Sequence, residues 1–202
     1  MRRYLALAAL LGLVAATPVH ANSIGFQYTI EREHDGNIIE TNFLKGFEIR
    51  DGLRLRVKLH QASYCYVIMS NPTGGYRLVF PDPGTRKADD LAANQWARIP
   101  KSTFLRMGED PGVERMYIVV ATARIPELEE QAQVGRAVVS ESLAFEVRDR
   151  YHGEGAYSRG LDGPTVTVHY KAKASGPAVV VEEIAVQALE SVQKAASAPT
   201  KP

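Results

Sequence analysis

The chain has 202 residues, 24 Lys+Arg against 23 Asp+Glu, 45% hydrophobic residues and a single cysteine. That length allows one domain, or one with an appendage, and a core large enough to hold without disulfides or a structural metal. A formal charge of +1 supplies no global field for nucleic acid or anionic lipid, and the composition excludes disordered and collagen-like chains.

Arg2 and Arg3 open the chain, Leu5 to Ala16 is unbroken apolar sequence, and Val19 and Ala21 put small residues after it. This order predicts a secretory signal peptide over residues 1–21, cleaved near Ala21. The apolar run, about 12 residues, falls short of the about 20 that a membrane-crossing helix needs. Cleavage removes two of the 24 basic residues, leaving 22 against 23 acidic. The expected location is periplasmic or secreted, with no transmembrane segment once the leader is gone.

Period-two patterning follows. Ile24, Phe26, Tyr28 and Ile30 alternate with polar or small residues, the signature of a half-buried strand. His34-Asp35-Gly36-Asn37 predicts a hairpin turn and Asp51-Gly52 a second turn. Leu53, Leu55, Val57 and Leu59 then alternate with Arg54, Arg56, Lys58 and His60. Tyr64 to Met69 and Met116 to Ala121 are apolar at every position, which predicts interior strands. Tyr76 to Phe80 is a further strand, and Trp96 to Ile99 and Phe104 to Met107 are shorter ones. Thr165 to Tyr170 is rich in β-branched residues. Pro126 to about Val139 reads as a helix, with Pro at a first-turn position and acids near its start. Arg148 to Gly163, dense in glycine and charge, reads as a loop. Val181 to Ala196 fits an amphipathic helix, and its first half fits a strand equally well. The fold expected is mainly β: an antiparallel β-sandwich or partly open barrel with one or two peripheral helices. The β-rich domain would span 22–174, with 175–202 a C-terminal linker and tail.

Two groups of residues stand out as binding sites. Arg54, Arg56 and Lys58, with His60, line one strand face about 7 Å apart, which suits an anionic glycan or lipopolysaccharide. The same row also fits a solvated face paired to Glu31 and Glu33. Stacking aromatics are missing from this strand, so nucleic acid is not expected. Tyr76, Arg77, Phe80 and Trp96 could share a patch around the Pro81-Asp82-Pro83-Gly84 loop, for a ligand or protein partner. Cys65, the only thiol, sits in apolar sequence and reads as buried and inert. His152-Gly153-Glu154 offers two metal-type ligands, but the five histidines are scattered, so no metal and no cofactor is expected. Hydrolase, phosphate-loop and dinucleotide motifs are missing.

In order along the chain come Asp51-Gly52-Leu53-Arg54-Leu55, Tyr64-Cys65-Tyr66-Val67-Ile68, Leu78-Val79-Phe80-Pro81, Ile99-Pro100 and Pro111-Gly112-Val113-Glu114. This succession, over residues 46–122, resembles the bacterial domain-of-unknown-function family 4384. This chain carries Asp82 where that family usually has Asn, and reverses its usual Gly-Asp as Asp51-Gly52. The resemblance implies an envelope or secreted β-rich module, and it brings no catalytic residue. The expected function is therefore an exported, non-enzymatic binding or assembly module of the cell envelope, working through protein–protein contacts. Binding of an anionic envelope glycan is the alternative, and a hydrolase built on the His152 region is a more distant one.

Overall fold

The computed structural model describes residues 23–42, 46–70, 73, 75–82, 87–88, 91–106, 112–133, 138–151, 155–173 and 177–189. The expected signal peptide, His152–Glu154 and the tail beyond 189 lie outside the described residues.

Strand β1 (Ser23–His34) realises the first alternation and turns through Asp35 and Gly36, both with positive φ (49° and 78°), into β2 (Asn37–Thr41). Such a pair of left-handed residues is what a tight two-residue hairpin requires. After β3 (Phe47–Glu48) the chain turns into β4 (Gly52–Leu59). The left-handed residue of that turn is Arg50 (φ 75°), so the turn falls just ahead of the expected Asp51-Gly52. Asp51 holds it from inside: its N–H donates to the Glu48 carbonyl (3.0 Å), and its carboxylate accepts the Glu48 N–H (2.7 Å). Then come β5 (Tyr64–Ser70), β6 (Tyr76–Phe80), β7 (Ala97–Ile99), β8 (Leu105–Arg106) and β9 (Gly112–Ala121). Helix α1 (Pro126–Gln133), β10 (Val138–Val139), helix α2 (Glu141–Tyr151), β11 (Gly155–Asp162), β12 (Thr165–Ala172) and β13 (Val179–Leu189) complete the order.

The strands form two sheets. The first runs β11-β12-β1-β4-β7, with β2 also paired to β1 and β8 to β4; the second runs β10-β6-β5-β9-β13-β3. Pairing is antiparallel except for the short β13–β3 contact. The sheets face each other across one apolar layer: Phe26, Tyr28, Ile30, Leu55 and Val57 from the first meet Val67, Ile118, Val120 and Ile184 from the second. A second apolar layer lies on the far side of the second sheet, where Tyr66, Ile68, Tyr117, Val119 and Val181 pack beneath Ile125, Leu128, Ala144 and Val147. The architecture is therefore a β-sandwich with helices on one outer face, and the strands read as apolar throughout are those with a core on both faces.

Three expectations are corrected. Residues 179–189, within the expected linker and the suggested helix, form an eleven-residue strand between β9 and β3. Val180, Ile184 and Val186 face the first sheet while Val179 and Val181 face the helices, so burial on both faces adds to the strand preference of these β-branched residues. Within the expected loop, the described residues through Tyr151 end α2 and Gly155–Asp162 form edge strand β11. An edge strand exposed over nearly its whole length has the composition of a loop. The helix expected to reach Val139 ends at Gln133, and Val138–Val139 pair with β6 instead. Helix α2 starts behind Ser140, whose hydroxyl accepts the Leu143 N–H (3.2 Å).

Candidate functional site

The helices leave the outer face of the first sheet uncovered among the described residues, and most of the functional residues expected from sequence lie there. On β1, Gln27, Thr29 and Glu31 alternate with the buried apolar positions and point outward. Glu31 is nevertheless only 3% exposed. It stands directly across from Arg54, whose Nε donates to Oε2 at 2.6 Å. Arg98 on β7 reaches Oε1 at 3.1 Å, and Arg56 lies 3.7 Å from the same oxygen while also pairing with Glu40 on β2. The Phe104 ring sits 4.2 Å from the Arg54 guanidinium and the Trp96 ring 5.0 Å from that of Arg56. Three guanidiniums against Glu31 and Glu40 bring the patch close to charge balance. The row of Arg54 and Arg56 is thus a paired face, and Lys58 continues it toward His60.

The second expected group does not assemble. Tyr76 is buried under α2, against Phe145, and Phe80 is buried in the layer between the sheets. Arg77 is exposed on the face of β6 opposite Tyr76, where its Nη2 donates to the Met69 sulfur (3.8 Å). Trp96 belongs to the other sheet and joins Arg56. Alternation sets Arg77 on the opposite face from Tyr76, and the register shift of the β5–β6 pairing at Val67/Ile68 sends Phe80 to the other side from Tyr76 and Leu78. The aromatics thought missing from the Arg54–Lys58 face come from outside β4, and sequence distance concealed them.

A second polar cluster, not foreseen from sequence, ties the open edge of the first sheet to the second sheet. Glu182 of β13 points into the space between the sheets and is 3% exposed. It accepts hydrogen bonds from the hydroxyls of Tyr28 on β1 (2.6 Å) and Tyr157 on β11 (2.5 Å). Arg159 of β11 completes it, with Nε 3.2 Å from Glu182 and Nη2 donating to the Tyr28 hydroxyl at 3.0 Å. Burial, followed by the Glu182 carboxylate, pushes both tyrosine pKa values above their ordinary range, so both phenols stay protonated donors. A buried charge needs such partners. The one sequence signal was Glu182 standing at a position where period two demands an apolar residue.

A third feature is a cleft of about 430 Å³ at the same end, lined by Ser23, Gly25, His60, Ser158, His169 and Lys171 among others. Elsewhere, Asp51 pairs with Arg32 (2.6 Å) and His34 (2.7 Å), which raises the His34 pKa above its ordinary value, the hydrogen bond to Asp51 being the main cause. Cys65 is buried, and burial pushes its thiol up to about 12. Among the described residues no three His, Cys, Asp or Glu side chains are grouped to hold a metal ion, and no helix is long and apolar enough to cross a membrane. His152 and Glu154 lie outside the described residues.

No curated protein and no solved structure matches the chain. The family motifs fall on strands of both sheets, from the β3–β4 turn through β5, the Phe80–Pro81 and Ile99–Pro100 steps (both cis) and the start of β9. That segment supplies β4, β7 and β8 to the first sheet and β3, β5, β6 and β9 to the second, with β1 lying between β4 and β12 and β13 pairing along the whole of β9. Residues 46–124, the stretch from β3 through β9, match the family model of Domain of unknown function (DUF4384).

Proposed function

We propose that this is an exported, non-enzymatic binding or assembly module of the bacterial cell envelope that works through protein–protein contacts, taking its partner as an added strand along β11. The observation that carries this reading is the β11 edge. It pairs with β12 over all eight of its residues, and every residue from Ala156 through Asp162 is exposed. Its sequence, GAYSRGLD, contains neither proline nor lysine, the residues that usually block an edge against further pairing. Tyr157 and Arg159 anchor it to buried Glu182, so the strand is held extended before a partner arrives and little ordering cost remains. Leu161, 53% exposed, overhangs the sandwich beside that edge and offers an apolar contact. The signal-like pattern of Arg2, Arg3, the Leu5–Ala16 run and Ala21 supports export.

A non-catalytic role is supported by the state of the reactive groups: the Cys65 thiol is buried and held protonated, and the Tyr28 and Tyr157 hydroxyls are committed to Glu182. An anionic glycan on the Arg54–Lys58 face has less support, because Arg54 and Arg56 already meet Glu31 and Glu40. The test is affinity capture from an envelope extract with the wild-type chain and Leu161→Lys as baits. The variant places a charge beside the edge without touching the core. Loss of the wild-type partners, with an unchanged melting temperature, is the expected result; the same partners retained by the variant refutes strand addition at β11.

A further inference from the structure

His60 and His169, far apart in sequence, meet over Gly25. Strand β1 brings Gly25 between them: it pairs in register with His169 on β12, and its carbonyl accepts the His60 N–H at 2.9 Å. The imidazole ring centroids stand 5.6 Å apart at 53°. A Cβ on Gly25 would lie 2.7 Å from Nδ1 of His60 and 3.3 Å from Nδ1 of His169. Two ring nitrogens thus converge on one small space that only glycine leaves open, at the floor of the 430 Å³ cleft.

The chemistry of this space is specific. The cleft lining includes two imidazoles, two serine hydroxyls and the Lys171 ammonium, but no carboxylate. Hard cations such as magnesium and calcium find no anionic oxygen there, whereas imidazole suits borderline transition metals. We propose that His60 and His169 bind a borderline divalent transition-metal ion across Gly25, copper(II) in preference to nickel(II) and zinc(II). Metal–nitrogen bonds of about 2.0–2.1 Å are reached by rotating the two rings toward the common point. Two protein ligands leave the remaining coordination positions to water or to a ligand from solution, which the open cleft admits. The other described histidine, His34, is engaged with Asp51 and plays no part.

The purified protein titrated with copper(II) and followed by electron paramagnetic resonance should take up one equivalent with nitrogen splitting from imidazole. Zinc titrated by calorimetry should bind more weakly at the same site. His60→Gln and His169→Gln should each weaken binding on the order of tenfold or more, at least what losing a supporting residue costs a metal site. Gly25→Ala puts a methyl group at the point of convergence and should weaken binding with both imidazoles still present. His34→Gln should leave it unchanged. Absence of the nitrogen splitting, or copper affinity that survives in both histidine variants, overturns the site.

Discussion

On β9, Ile118 packs between the sheets while its neighbours Tyr117 and Val119 pack under the helices; on β4, Leu55 packs between the sheets while its neighbours Arg54 and Arg56 meet Glu31. The two strands share a pleat and differ only in what covers the outward side. The second sheet has core on both faces, so almost any change in it is a packing change. Among the described residues the first sheet has one face free to carry charge, aromatic rings and histidines, and no strand pairs with the outer edge of β11. Function in this fold is therefore expected on the first sheet, with the second acting as its rigid backing.

The sharpest challenge to that division is Glu182, a buried carboxylate that the second sheet aims at the first. Glu182→Ala removes the acceptor for Tyr28, Tyr157 and Arg159 and leaves a guanidinium half-buried without its counter-charge. A loss of about 3–5 kcal/mol is expected in chemical denaturation. A loss below about 1 kcal/mol would mean that the sheets are joined by apolar packing alone. Next in size is Leu128→Ala in α1, whose side chain is fully buried. Its expected cost of about 2–5 kcal/mol tests whether the helix layer is true core, and a near-neutral result would reduce the second sheet to one buried face. Arg98→Ala, by contrast, removes a guanidinium that is 54% exposed from a carboxylate still held by Arg54, so less than about 1 kcal/mol is expected.

The smallest effect is a pH dependence at the junction between β1 and the β3–β4 turn. Asp51 raises the His34 pKa above its ordinary value near 6.5. The folded protein therefore binds that proton more tightly than the unfolded chain does. The resulting stabilisation is fully present below the ordinary imidazole pKa and disappears as pH rises through the raised folded value. His34→Gln should lower the melting temperature slightly at about pH 5.5 and have no effect through this pair at about pH 8.5. An equal shift at both pH values would assign the effect to packing rather than to charge.

Much of the architecture was legible because alternation is a local property. The Ile24–Ile30 and Leu53–Leu59 patterns became β1 and β4, and the all-apolar runs became β5 and β9, as period two and burial on both faces require. The likeness to family 4384 was legible in the order of its Pro-containing steps. The site was less legible. Glu31 was named as a partner for the β4 arginines, and it is one. The Tyr76–Phe80 group failed because the register shift in the β5–β6 pairing sends Tyr76 and Phe80 to opposite faces, and period two carries no sign of it. The clusters around Glu182 and Gly25 failed to register because their members come from strands far apart along the chain.

Hydrophobic periodicity, the Asp35-Gly36 turn and the composition of β5 and β9 determined that this chain is mainly β, a sandwich or a partly open barrel, since each depends on neighbours a few residues away. Which strands lie side by side was decided only by tertiary structure. Pairing across the sheets set Glu182 against Tyr28, Tyr157 and Arg159, and laid His60 and His169 over Gly25. It also drew residues 179–189 into the second sheet, where burial on both faces settled between the helix and the strand that periodicity allowed.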